Sequence, residues 1–294
     1  MAHQTLDPDF LRRQQRLEDD VSADMTDAAD DLEAAVLEAN RLSDARAEAA
    51  AIIAALFVLI GKRVVTGVRD LSEIRVDKLA DQSAPLFKSA GRPRFARGVV
   101  EFADAYPGRV ARRFATDETW DDGINFRQRL STVKQGTEQT VRNIIANGER
   151  NNLGAKEIAA KIRGYVKPRT SEVSTKAWEE AIERLGHVPK NLRPNNAEFN
   201  ALRIARTEGL EAYSRTSLDF YDTSEGQLLV DDDLWDWLLS NRHPGPDICD
   251  ELAAGSPYRR HLLPKRPHPF CACQKEPRVV SAKALRQKLD DLGL

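Results

Sequence analysis

The sequence predicts a mainly α protein, with long N-terminal helices and a helical core, followed by a small α+β C-terminal subdomain that carries a candidate zinc site. Three observations predict it. Ala, Leu, Arg, Asp and Glu dominate the first two thirds of the chain, which favours helices. Apolar residues recur there at helical spacing. Over roughly the last seventy residues the pattern changes to short alternating runs broken by Pro and Gly, and all three cysteines gather there. At 294 residues, 41% of them hydrophobic and 31% charged, the chain has room for one large domain or two ordinary ones under a charged surface.

Asp7 before Pro8 is an N-cap and first-turn pair. Long helices follow, in which apolar residues recur at Phe10, Leu11, Leu17, Val21, Leu32, Val36 and Leu42. From Asp44 to Val68 the next helix becomes apolar on most sides, with Ile52, Ile53, Leu56, Phe57, Leu59 and Ile60, and needs cover from the fold or from another subunit. Pro85, Gly91, Pro93, Pro107 and Gly108 mark a boundary. A second helical block starts near Asn125, carries Leu130, Val133, Val141, Ile144 and Ile145, and is expected to end at Gly148. Asn151, Asn152 and Gly154 turn the chain into a short helix with Ile158, Ala159 and Ile162, closed by Pro168. The piece from Asn151 to Arg163 has the outline of a helix-turn-helix, which a plain αα-hairpin explains equally well. A helix around Trp178 and Ile182 precedes a loop with Pro189 and Pro194. Asn196 then caps a long helix to about Asp222. Leu234 to Leu239 reads as a strand, Cys271 to Val280 as a second, and Ser281 caps a terminal helix. The expected segments are residues 1–90 (helical arm), 91–124 (irregular linker), 125–223 (helical core), 224–280 (α+β subdomain) and 281–294 (terminal helix).

Charge is segregated behind a net −2. From Asp7 to Ala50 there are thirteen acids and five bases, and from Arg127 to Arg169 ten bases and three acids. Such runs are commonly solvated helix faces, or the two regions meet different partners. No strongly basic face marks a dedicated DNA binder. The N-terminal residues lack the apolar core of a secretory signal. The longest apolar run, Ala49 to Ile60, is twelve residues, short of the ~20 that cross a bilayer, so no membrane partner is expected. An odd number of cysteines without a disulfide framework points to synthesis in a cytoplasm.

Chemistry concentrates between His243 and Cys273, where all three cysteines and three of the five histidines lie. Thiolate and imidazole are preferred zinc ligands, and two knuckles joined by a loop assemble a tetrahedral site. His268 and Cys271 have knuckle spacing, Cys249 supplies a third ligand and His243 a fourth, with Asp247 in reserve. Of Cys271 and Cys273, Cys271 is the expected ligand and the other a core cysteine, unless a bulge admits Cys273 instead. Metal-free packing of the same residues is the plain alternative. No signature of a zinc hydrolase or deaminase, P-loop, nucleophile elbow or dinucleotide site is present.

The order of these features resembles the phage Mu F-like minor head protein family, also called phage head morphogenesis proteins. The first piece is Leu130-Ser-Thr-Val-Lys-Gln-Gly-Thr-Glu-Gln-Thr-Val-Arg-Asn-Ile-Ile-Ala-Asn-Gly148, followed by Gly154-Ala-Lys-Glu-Ile-Ala-Ala-Lys-Ile162. The second is Ala205-Arg206-Thr207-Glu208, and the third the strand with Trp235 and Trp237, then Asp247-Ile-Cys249 and His268-Pro-Phe-Cys271-Ala-Cys273. The match spans roughly Asn125 to Val280, so residues 125–223 form the core of the resemblance. Where this chain has Pro246-Asp-Ile-Cys249, many members carry a Cys-x-x-Cys, so His243 or Asp247 has to complete the ligand set. The resemblance implies a structural minor head protein in the virion, in the head interior or portal region, and no enzyme. Its implied partners are the portal protein and the major capsid protein or other head components, with non-specific contact to viral DNA. Arg206, Glu208, Trp235 and Asp247 are read as structural, Glu208 being a buried carboxylate in need of a partner such as a nearby arginine. The competing class is a zinc-dependent nuclease or toxin-like enzyme of a mobile element, for which His261 is the spare histidine.

Overall fold

A computed structural model describes residues 7–39, 41–115, 123–167, 196–240, 248–265, 267 and 273–294. The chain is mainly helical with a small C-terminal sheet, as expected. In order, the described elements are α1 (Pro8–Glu38), α2 (Leu42–Ser89), α3 (Pro93–Ala115), α4 (Phe126–Arg150), α5 (Ala155–Val166), α6 (Ala197–Tyr221), α7 (Ser224–Leu229), β1 (Val230–Leu238), α8 (Ile248–Ala254), β2 (Tyr258–Arg259), a 3-10 turn (Arg260–Leu262), β3 (Gln274–Val279) and α9 (Ala282–Asp291). Helix expectations around Trp178 and the loop with Pro189 and Pro194 lie outside the described residues.

Two compact units divide the chain. The first comprises Met1–Gln14, Thr66–Thr116 and Thr207–Leu294; the second comprises Gln15–Val65 and Asp117–Arg206.

In the first unit, Asp7 caps α1 as its sequence predicts. Its carboxylate accepts the backbone N–H of Asp9 at 2.8 Å and meets the Lys78 ammonium at 3.1 Å. Burial alone would push the Asp7 carboxyl up, but Lys78 and the capped N–H groups outweigh it and hold it below the ordinary aspartate value. Phe10 then packs its ring 4.4 Å from that of Tyr213, in a cluster with Leu71 and Leu210. A larger apolar cluster joins Phe87 and Val99 to Phe220, Leu229, Trp235 and Leu285.

The stretch 91–124, expected to be irregular, instead carries α3. Pro93 opens that helix at a position where a missing N–H costs nothing. Ala96, Val99, Ala103, Tyr106, Val110 and Phe114 bury one face at steps of three and four, and this continuous face carries the helix across Pro107. Pro85 likewise lies inside α2 rather than at a boundary. Proline is a breaker only where packing does not override it.

In the second unit, α4 starts with a reciprocal cap. Asn125 accepts the Gln128 N–H at 2.8 Å, and the Gln128 side chain accepts the Asn125 N–H at 3.0 Å. Gly148 does not end the helix, contrary to the sequence reading; α4 runs to Arg150, and Asn152 takes a positive φ of 51° in the turn that follows. Gly148 is needed for space, because a Cβ there would sit 2.4 Å from Cγ1 of Ile158, itself fully buried on α5. Gly148→Ala therefore forces the α4–α5 hairpin apart, and a loss of about 1–3 kcal/mol is expected in chemical denaturation despite the better helix propensity of alanine. An unchanged or raised midpoint would contradict that packing.

α2 is apolar beyond the twelve-residue run, since Val64 and Val65 resume the pattern after Lys62 and Arg63. By length and composition it contains an 18-residue window able to cross a membrane, a criterion that core helices of folded domains also meet, and 33% of that window is buried. The expected cover is thus incomplete: Val58 is 59% and Leu59 41% exposed, while Ile53, Phe57 and Ile60 on the other side are buried.

Candidate functional site

The three-stranded antiparallel sheet, in the order β2-β1-β3, organises the chemically dense end of the chain. Alternation along β1 buries Trp235 and Trp237 on one face. Cross-strand pairing sets Trp235 opposite Pro277, Asp236 opposite Glu276 and Trp237 opposite Lys275. The Lys275 ammonium lies 5.7 Å from the Trp237 ring centroid. The register shifts between Val230 and Trp235, where Asp232 and Asp233 take φ of 47° and 58°, a region that Asp tolerates better than most residues.

Cys249 and Cys273 come together at the edge of this sheet. Both are buried, at 0% and 2% exposure, in one cluster with Trp237 and Leu239. On α8 the spacing of Cys249, Leu252 and Ala253 gives the helix a single apolar face toward that cluster. Ser256 ties α8 to the sheet by accepting the Trp237 N–H at 2.7 Å, and the Tyr258 hydroxyl donates to the Leu252 carbonyl at 2.8 Å. Asp250 and Glu251 sit in the first turn of α8, with Glu251 exposed.

Of the candidate zinc ligands, Cys249 and Cys273 are described; His243, His268 and Cys271 lie outside the described residues, as does Asp247. Cys273 is buried in one cluster with Cys249, as expected of a core cysteine, and Cys271 lies outside the described residues. Among the described residues no group of three metal-ligating side chains forms. The donor chemistry still suits a soft cation: two buried sulfurs share one cluster. In addition, the indole N–H of Trp237 and the amide nitrogen of Gln274 are buried without a hydrogen-bond partner among the described residues. Cys249 and Cys273 would hold zinc there, which would supply cross-linking of the loops rather than reactivity.

A second feature had no sequence signal. Arg75 of α2, 3% exposed, donates Nε to the Ser217 hydroxyl on α6 at 2.6 Å and Nη2 to the Glu276 carboxylate on β3 at 2.7 Å. Its guanidinium also lies 4.9 Å from the Tyr213 ring centroid. Burial works against the arginine charge, but the Glu276 carboxylate outweighs it and raises the arginine pKa above its ordinary value. Burial pushes the Tyr213 and Tyr221 phenols up as well, so both remain neutral. One side chain thereby joins α2, α6 and the small sheet.

The residues read as structural divide between the units. Arg206 donates Nε to Glu18 of α1 at 2.8 Å, with a second bond from Nη2 to the same carboxylate. Glu208 is buried at 1% exposure, as its sequence position predicts. Trp235 is fully buried, edge-on to Tyr221 at 5.7 Å and capped by the Arg260 guanidinium at 5.6 Å. His261, the spare histidine of the enzyme reading, is exposed on the turn after β2. No family model matches the chain, and comparison with curated proteins and with solved structures yields no match.

Proposed function

We propose that this chain is a structural minor head protein of a tailed virus, acting beside the portal in head assembly and in packaging or delivery of the genome. The reading starts from the ordered resemblance of residues 125–280 to head morphogenesis proteins. The observation that supports it furthest is the packing of the Ala205–Glu208 motif. Ala205 and Glu208 are buried and the half-buried Arg206 bonds to Glu18, which suits a structural role for these residues. The α4–α5 hairpin, rich in Arg and Lys, supplies the non-specific contact to DNA, a salt-sensitive one. The Cys249–Cys273 cluster holds a structural zinc completed by residues from the 241–247 and 268–272 segments. Co-expression with the portal protein of the same genome tests the partner directly. The two chains are expected to co-elute on gel filtration; separate elution at every salt concentration would remove the portal from the reading.

A further inference from the structure

We propose that α2 presents, between Glu48 and Lys62, a self-complementary face on which a second copy of this chain docks antiparallel. The whole of this face belongs to the second unit. Ala51, Ala55, Val58 and Leu59 are all exposed there, at the three- and four-residue steps that align side chains along one side of a helix. The stripe ends in opposite charges. Glu48 and Lys62 are both exposed, and neither has an ion-pair partner among the described residues.

Their positions define the partner. Glu48 stands seven residues before Ala55 and Lys62 seven after it. A two-fold axis at Ala55 therefore sets Glu48 of each copy against Lys62 of the other, twice per pair. The same axis sets the small Ala51 against the large Leu59, a knob facing a hole, and lets the backbones approach closely at Ala55. A parallel pairing would instead place Glu48 against Glu48 and Lys62 against Lys62. A bilayer suits the face less well, because the charges bracket it at about 21 Å, less than the ~30 Å of hydrocarbon. A single helical stripe covers less than the ~800 Å² per partner of a typical stable interface, so the pairing is expected at micromolar concentrations and above.

The inference stands apart from the portal, so its test uses the purified full chain alone. Sedimentation velocity from low to high micromolar is expected to show reversible monomer–dimer exchange. Glu48→Lys and Lys62→Glu should each weaken it about tenfold, and the double variant should restore it. Leu59→Lys should abolish it, with circular dichroism verifying that each variant is folded. A monomer at all concentrations would overturn the proposal, as would association indifferent to the charge reversals. Flotation of an otherwise monomeric wild-type chain with phosphatidylcholine vesicles would assign the face to lipid and overturn it too.

Discussion

Arg75→Ala is expected to lower the stability of the first unit by about 3–5 kcal/mol, the usual loss when one member of a buried ion pair is removed. The Glu276 carboxylate, 20% exposed at its side chain, would be left near the Tyr213 and Tyr221 phenols without its cation. For a unit of this size the melting midpoint should fall on the order of ten degrees. The pair itself need not be net stabilising, because the desolvation of both charges offsets their attraction. Arg75→Met with Glu276→Leu should therefore recover most of the loss, and a double-mutant cycle gives the coupling. If Arg75→Ala alone left the midpoint unchanged, α2, α6 and β3 would not be held as described.

The second large effect belongs to the cysteine cluster. One zinc per chain is expected by elemental analysis of protein purified without added metal, and a strong chelator should melt the region around α8 and β3. Structural zinc contributes on the order of ten kcal/mol of apparent binding energy, far more than the remaining apolar contacts of so small a cluster. Cys249→Ser and Cys273→Ser should each lower the zinc content, and Cys271→Ser shows whether that residue shares the site. Metal-free protein whose melting ignores the chelator would reduce the cluster to packing. In that case a Cys→Ser change would cost only about 1–3 kcal/mol, for a buried hydroxyl.

Local signals were the legible ones. Asp7, Asn196 and Ser281 read as caps in the sequence, and each accepts a backbone N–H two or three residues ahead. Alternation around Trp235 and Trp237 found the central strand, and the gathering of cysteines found the cluster at its edge. What escaped depends on distant partners. Gly148 reads as a stop until Ile158 is known to press on it. Pro107 reads as a break until the apolar face around it is seen to be continuous and buried. Arg75 is one of many charges on α2; its partners Ser217 and Glu276 are 142 and 201 residues away, a separation no periodicity encodes. The exposed stripe on α2 was anticipated only as apolar surface, because burial of its opposite side had to be known before its charged ends acquired a direction.

The most direct test of the proposed function is quantitative mass spectrometry of purified procapsids and mature particles of the tailed virus to which the proposal would assign this chain. Peptides of this chain are expected at a fixed ratio to those of the portal. Their absence from both particles would contradict the account and bring the zinc-enzyme reading, with His261 as its first residue to mutate, to the front.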